Sequence, residues 1–109
     1  MKENYGISFY KKSSPFNTFT NVATTSVTEN IDIASHISNS SIVLVQDQIA
    51  ELNKVLDGIR VQEDWGEIMG SELTIFPVEG TVQIGYTNSR IPIQDFKVLL
   101  EEWLEFIIS

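Results

Sequence analysis

The segment ENIDIASHISNSSIVLV, residues 29–45, decides which fold this chain adopts. Ile31, Ile33 and Ile37 fall on alternate positions, the period of a half-buried strand. SNS at 38–40 is turn chemistry, and SIVLV at 41–45 is rich in the β-branched residues that favour strands. The segment therefore reads as two strands, 29–37 and 41–45. At Gln46 the period lengthens: Ile49, Leu52, Val55, Leu56 and Ile59 recur at helical spacing, predicting a helix over 46–57. Asp47 suits the positive end of that helix, and Gly58 is a fitting stop.

Upstream, YGISFYKK (5–12) alternates, SSP (13–15) turns, and FNTFTNVATT (16–25) reads as a second strand. The first unit is thus four strands and a helix. Downstream the order repeats. IRVQEDW (59–65) predicts a strand, GEIMG a turn, ELTIFPV (72–78) a strand, EG (79–80) a tight turn and TVQIGYT (81–87) another strand. NSR turns again, IPI makes a short strand, and a helix runs over 94–107. Aligning Gln46-Asp47 with Gln94-Asp95 places Leu52, Leu56 and Ile59 on Leu100, Leu104 and Ile107. The expected fold is α+β: one domain over 1–109, built from two strand-rich units, 1–58 and 59–109. Each unit has about four antiparallel strands and ends in an α-helix.

At 109 residues and 42% hydrophobic, the chain can bury a core without help from disulfides, and it has no cysteine to form them. No stretch approaches the roughly 18 apolar residues of a membrane span. MKENYGISFYKK has no apolar run after its lysine, so neither a secretory leader nor a membrane is expected, and a cytoplasmic location is. The net charge of −8 is distributed unevenly. Residues 1–45 balance, whereas 46–109 carry four cations against twelve anions. Either those carboxylates are a solvated surface or they form a face that meets something basic.

Catalytic patterns are not found. The one histidine, His36, has no cysteine beside it and reads as a satisfied or exposed strand residue. No Gly-x-Ser-x-Gly elbow, phosphate loop or calcium-loop spacing occurs. Adjacent carboxylates, Glu63-Asp64 and Glu101-Glu102, point to different sides of a strand or helix and make no dyad. No enzyme activity, cofactor or metal is therefore expected. Direct nucleic-acid binding needs cations, and the only cluster, Tyr5, Phe9, Tyr10, Lys11 and Lys12, is too small to outweigh the acidic half, so no direct nucleic-acid contact is expected. Carboxylates set where phosphates would lie can instead fill a cationic cleft in another protein. The candidates are Glu63, Asp64, Trp65, Glu67 and Glu72 in VQEDWGEIMGSE (61–72), with Glu101, Glu102 and Glu105 on the last helix. Trp65 is either an interface anchor or a core residue ringed by acids. The last helix is apolar beyond one stripe, from burial on two sides or from a homodimer contact at Trp103, Phe106 or Ile108.

The doubled four-strands-then-helix order resembles the Whirly-type fold. RIPIQDFKVLLEEWLEFI, following ELTIFPVEGTVQIGYTN, is similar to the ends of small bacterial immunity proteins. Those guard cells against polymorphic and contact-dependent growth inhibition toxins, many of them nucleases. The resemblance implies a non-enzymatic protein that covers the active-site or substrate cleft of a cognate basic toxin domain, a tRNase, RNase or DNase. Whirly proteins bind single-stranded DNA through a lysine-containing strand that this chain lacks, leaving nucleic-acid binding or a small homodimeric adaptor as the alternatives.

Overall fold

Alternation in the N-terminal residues is realised as a hairpin, in a computed structural model that describes residues 1–13, 19–38, 40–58, 64–68, 71–84 and 90–108. Strands β1 (Ile7–Ser13) and β2 (Phe19–Thr25) pair antiparallel, with Phe9 opposite Ala23 and Tyr10 opposite Val22. Ile7 and Ala23 are buried and Phe9 packs against the core, whereas Ser8 and Tyr10 face water. A short 3-10 turn, Lys2–Tyr5, leads in and closes on Gly6 in the left-handed region at φ 64°. A Cβ on Gly6 would lie 2.7 Å from Val27 Cγ2, so both the backbone and the neighbour demand glycine. Gly6→Ala is therefore expected to destabilise the protein by about 1–2 kcal/mol, read as a lower urea midpoint with unchanged slope.

The deciding segment is helical. A 3-10 turn at Thr28–Asn30 runs into helix α1 (Ile31–Ser38), and helix α2 spans Ile42–Leu56. Both expected strands, 29–37 and 41–45, are corrected by this. In α1 the buried residues are Ile33, Ala34, His36 and Ile37, and Ile31 is left 52% exposed. A strand would have put Ile31 and Ile33 on one face; a helix turns them apart. Ser41 caps α2, its Oγ accepting the Leu44 N–H at 3.3 Å, so SIVLV is a helix start. Val45, Gln48 and Leu52 form its buried stripe, and Val43 remains exposed. Packing of that stripe outweighs the strand preference of the β-branched run. The helix expected over 46–57 thus begins four residues earlier and stops before Gly58, φ 80°.

The second half follows its expected order more closely. Strands β3 (Asp64–Ile68), β4 (Ser71–Phe76), β5 (Thr81–Ile84) and β6 (Arg90–Pro92) form an antiparallel meander in sequence order. Residues 66–68, expected in a turn, lie in β3; the strand residues expected at 59–63 and 85–87 lie outside the described residues. Pro77–Gly80 turns the chain between β4 and β5, and the Gly80 N–H donates to Phe76 O at 2.9 Å. Leu73 pairs with Ile84, Ile75 with Val82, and Val82 with Ile91, so one sheet face carries a continuous buried row. Helix α3 (Ile93–Ile108) follows β6 directly. Helices α1 and α3 pack on this sheet, and α2 packs against α3.

The architecture is α+β; the described residues form a two-stranded and a four-stranded antiparallel sheet and three α-helices. The expected doubling of four strands plus helix does not hold. Among the described residues the first unit has two strands and two α-helices, and the second has four strands and one.

Candidate functional site: an acidic helix face beside an aromatic cleft

Helix α3 owes its orientation to its apolar spacing. Ile93, Phe96, Leu99, Leu100 and Trp103 are buried, which turns Gln94, Glu101 and Glu105 outward. Its first turn is pinned by the Tyr5 hydroxyl, which donates to Asp95 Oδ2 at 2.7 Å. Burial, reinforced by that carboxylate, pushes the Tyr5 phenol above its ordinary range. The Lys2 backbone N–H donates to Glu102 Oε1 at 3.1 Å, so Glu102 is partly spent on holding the N-terminal segment. Glu101 and Glu105 make no ion pair among the described residues.

These two acids are placed at some cost. They lie one turn apart, where like charges repel, and Glu105 sits in the last turn, at the negative end of the helix dipole. No basic residue occupies that turn to offset it. Across β3 and β4 the backbone register sets Glu67 opposite Glu72. Of the remaining expected contacts, Glu63 lies outside the described residues, and Asp64 and Trp65 are placed on β3, Asp64 opposite Thr74.

A cleft of about 300 Å³ opens beside α3, lined by Lys2, Phe9, Glu102, Glu105 and Phe106. Its floor is aromatic. The Phe9 and Phe106 rings lie 5.6 Å apart, and Trp103 backs both, edge-on to Phe9 at 5.1 Å and stacked on Phe106 at 5.7 Å. The ammonium groups of Lys2 and Lys11 stand 5.2 Å and 6.0 Å from the Phe9 and Phe106 centroids. Phe9 and Lys2 were not among the contacts expected with Glu105. The alternation of Ile7 and Phe9 signals an inward Phe9, but its neighbour on α3 is nearly a hundred residues away in sequence. Of the expected dimer trio, Trp103 is corrected: it is 1% exposed and belongs to the core, leaving Phe106 half-buried and Ile108 exposed.

His36 is neither exposed nor on a strand. It is fully buried between α1 and α2, with Nε2 2.7 Å from Gln48 Oε1 and its ring beside Phe96. Gln48 Nε2 donates to Leu44 O at 3.2 Å and to Ser40 Oγ at 3.4 Å, so its oxygen faces the histidine and Nε2 carries the ring proton. Ser40 Oγ donates to His36 O at 2.8 Å, and Trp103 Nε1 donates to Ser40 O at 3.4 Å. This knot joins the α1–α2 corner to α3 behind the aromatic floor. Burial lowers the His36 pKa below its ordinary 6.5, with the Gln48 hydrogen bond opposing.

Among the described residues, no three His, Cys, Asp or Glu side chains gather as a metal site, and no helix is long and apolar enough to cross a membrane. No protein-family model, curated protein or solved structure matches this chain.

Proposed function

We propose that this protein is an immunity protein. It binds a cognate basic toxin domain, a nuclease, and covers its active-site or substrate cleft with acidic side chains. The observation that carries this reading is the crowding of like charges at Glu101 and Glu105, both exposed and one turn apart on α3. Such a pair weakens the free protein, and a cationic surface laid over it converts the repulsion into attraction. Charge complementarity of this kind speeds encounter and rejects wrong partners, while affinity comes from a few desolvated anchors.

The test is charge reversal. Glu101→Lys with Glu105→Lys, and separately Glu63→Lys with Asp64→Lys, are expected to weaken binding of a co-purifying basic toxin domain by at least about tenfold. Circular dichroism should show the fold retained, because Glu101 and Glu105 are exposed. Equal affinity in both double variants refutes the acidic face.

A second reading has one observation in its favour: Tyr10 and Lys12 share the exposed outer face of β1, a small aromatic-basic strip. Titration of labelled single-stranded DNA at low salt tests it. Saturable binding lost in Lys11→Gln with Lys12→Gln supports nucleic-acid binding over toxin neutralisation.

A further inference from the structure

Helix α2 carries two seams along its length, and the fold uses one of them. Val45, Gln48 and Leu52 form the buried one, with Gln48 meeting His36 of α1 and the helix packing on α3. A second set, Ile42, Gln46, Ile49, Asn53 and Leu56, steps along the helix at intervals of four, three, four and three. That is the spacing of a coiled-coil seam, with Ile42, Ile49 and Leu56 as its apolar layers and Gln46 and Asn53 as its polar ones. We infer that this open seam is where a second copy of the chain docks, laying the same seam of its own α2 alongside. The inference is independent of the acidic-face reading above.

Ile42 is 42% and Leu56 45% exposed, Ile49 and Asn53 are half-buried, and Gln46 is exposed. Val43 and Ala50 widen the strip on its solvent side, and both are exposed. The charged residues of α2, Asp47, Glu51 and Lys54, all fall outside it at helical spacing. In a chain of net charge −8, a strip without a carboxylate does not attract a basic partner. It is instead a place where two copies can approach without setting acid on acid.

The two amides select the occupant. A wholly apolar helix laid here would leave Gln46 and Asn53 facing hydrocarbon. A second copy aligned in parallel sets Gln46 against Gln46 and Asn53 against Asn53, each pair able to exchange hydrogen bonds, while the apolar layers meet their own equivalents. Neither side-chain amide has another partner among the described residues. Reversing one copy sets each amide against an isoleucine or a leucine, so the pairing is parallel, about a two-fold axis along α2. At the start of the seam Ile42 shares a cavity of about 350 Å³ with Ile107 of α3, so the apolar ground continues onto half-buried Ile107 and exposed Ile108. A 15-residue helix is about 22 Å long, which puts five layers at the small end of specific interfaces and makes the dimer a weak, concentration-dependent one.

The chain has no cysteine, so introduced thiols report on the seam alone. Asn53→Cys should give a disulfide-linked dimer under mild oxidation, whereas Lys54→Cys, one residue outside the strip, should stay largely monomeric. Sedimentation equilibrium of the full chain from about 10 μM to about 1 mM should show monomer and dimer in exchange. Ile42→Glu sets two carboxylates across the axis, in a first helical turn that tolerates an acid, and should weaken the dimer at least about tenfold. Ala50→Glu, at an exposed position, should weaken it in the same direction without disturbing the core. Added salt should tighten the dimer by screening the repulsion between two chains of charge −8, whereas it should weaken toxin binding through the acidic face. A monomer throughout that concentration range, equal cross-linking of the two cysteine variants, or a dimer indifferent to both glutamate substitutions overturns the seam. None of these results bears on toxin affinity, so the acidic face stands or falls separately.

Discussion

Trp103→Ala is expected to cost about 3–5 kcal/mol, enough to leave a domain of ordinary stability largely unfolded. The indole is 1% exposed, meets Phe9 and Phe106, and donates Nε1–H to the Ser40 carbonyl. Truncation opens a cavity between the hairpin, α3 and the α1–α2 corner, and removes the donor from a buried carbonyl. Trp103→Phe retains most of the ring contact and loses the hydrogen bond, so its cost should be well under half as large. Urea unfolding of both variants measures the difference. Similar, small losses in the two would mean that Trp103 is not the keystone between the two sheets.

The second large effect concerns His36. The group is neutral in the folded protein because burial favours the uncharged ring, and Gln48 from α2 and Phe96 from α3 are among the side chains set against it. In the unfolded chain it titrates near its ordinary 6.5. Below that pH the unfolded chain binds a proton that the folded protein does not. The stability contributed by the neutral ring is therefore complete above pH 6.5 and falls as pH drops through the lowered folded value. One proton limits the slope to about 1.4 kcal/mol per pH unit. Gln48→Leu should add about 1–3 kcal/mol of destabilisation at pH 7.5, by leaving the ring N–H without its acceptor. The double variant His36→Phe with Gln48→Met removes both partners and should recover much of that loss. It should also flatten the pH dependence between pH 5 and 7. Urea midpoints across that range decide it; an unchanged acid slope in the double variant assigns the effect to other groups.

From β4 onward the fold was legible because each element carried one clear signal, whereas β3 was expected several residues too early. ELTIFPVEGTVQI alternates cleanly about a glycine turn, and IQDFKVLLEEWLEF keeps helical spacing for four turns. Both ends of α3 fell within one residue of expectation. Residues 29–45 misled because short apolar runs fit either period. Ile33 and Ile37 are two alternations apart, and also one helical turn apart. What selects the helix is tertiary: His36 meets Gln48 twelve residues on, and Trp103 reaches Ser40 across sixty-three. No local pattern contains those contacts. The same division applies to the candidate site. Helical spacing was enough to turn Glu101 and Glu105 to solvent. The aromatic floor beneath them joins β1 to α3, and only the folded chain brings these together.

The most direct test of the proposed acidic face is a calorimetric titration of a basic toxin domain that co-purifies with the protein into the wild-type protein and into Glu101→Gln with Glu105→Gln. Those substitutions remove two like charges from α3, so the variant should unfold at a higher urea concentration than wild type while binding the toxin at least about tenfold more weakly. A variant that gains stability and binds with undiminished affinity contradicts the proposed function.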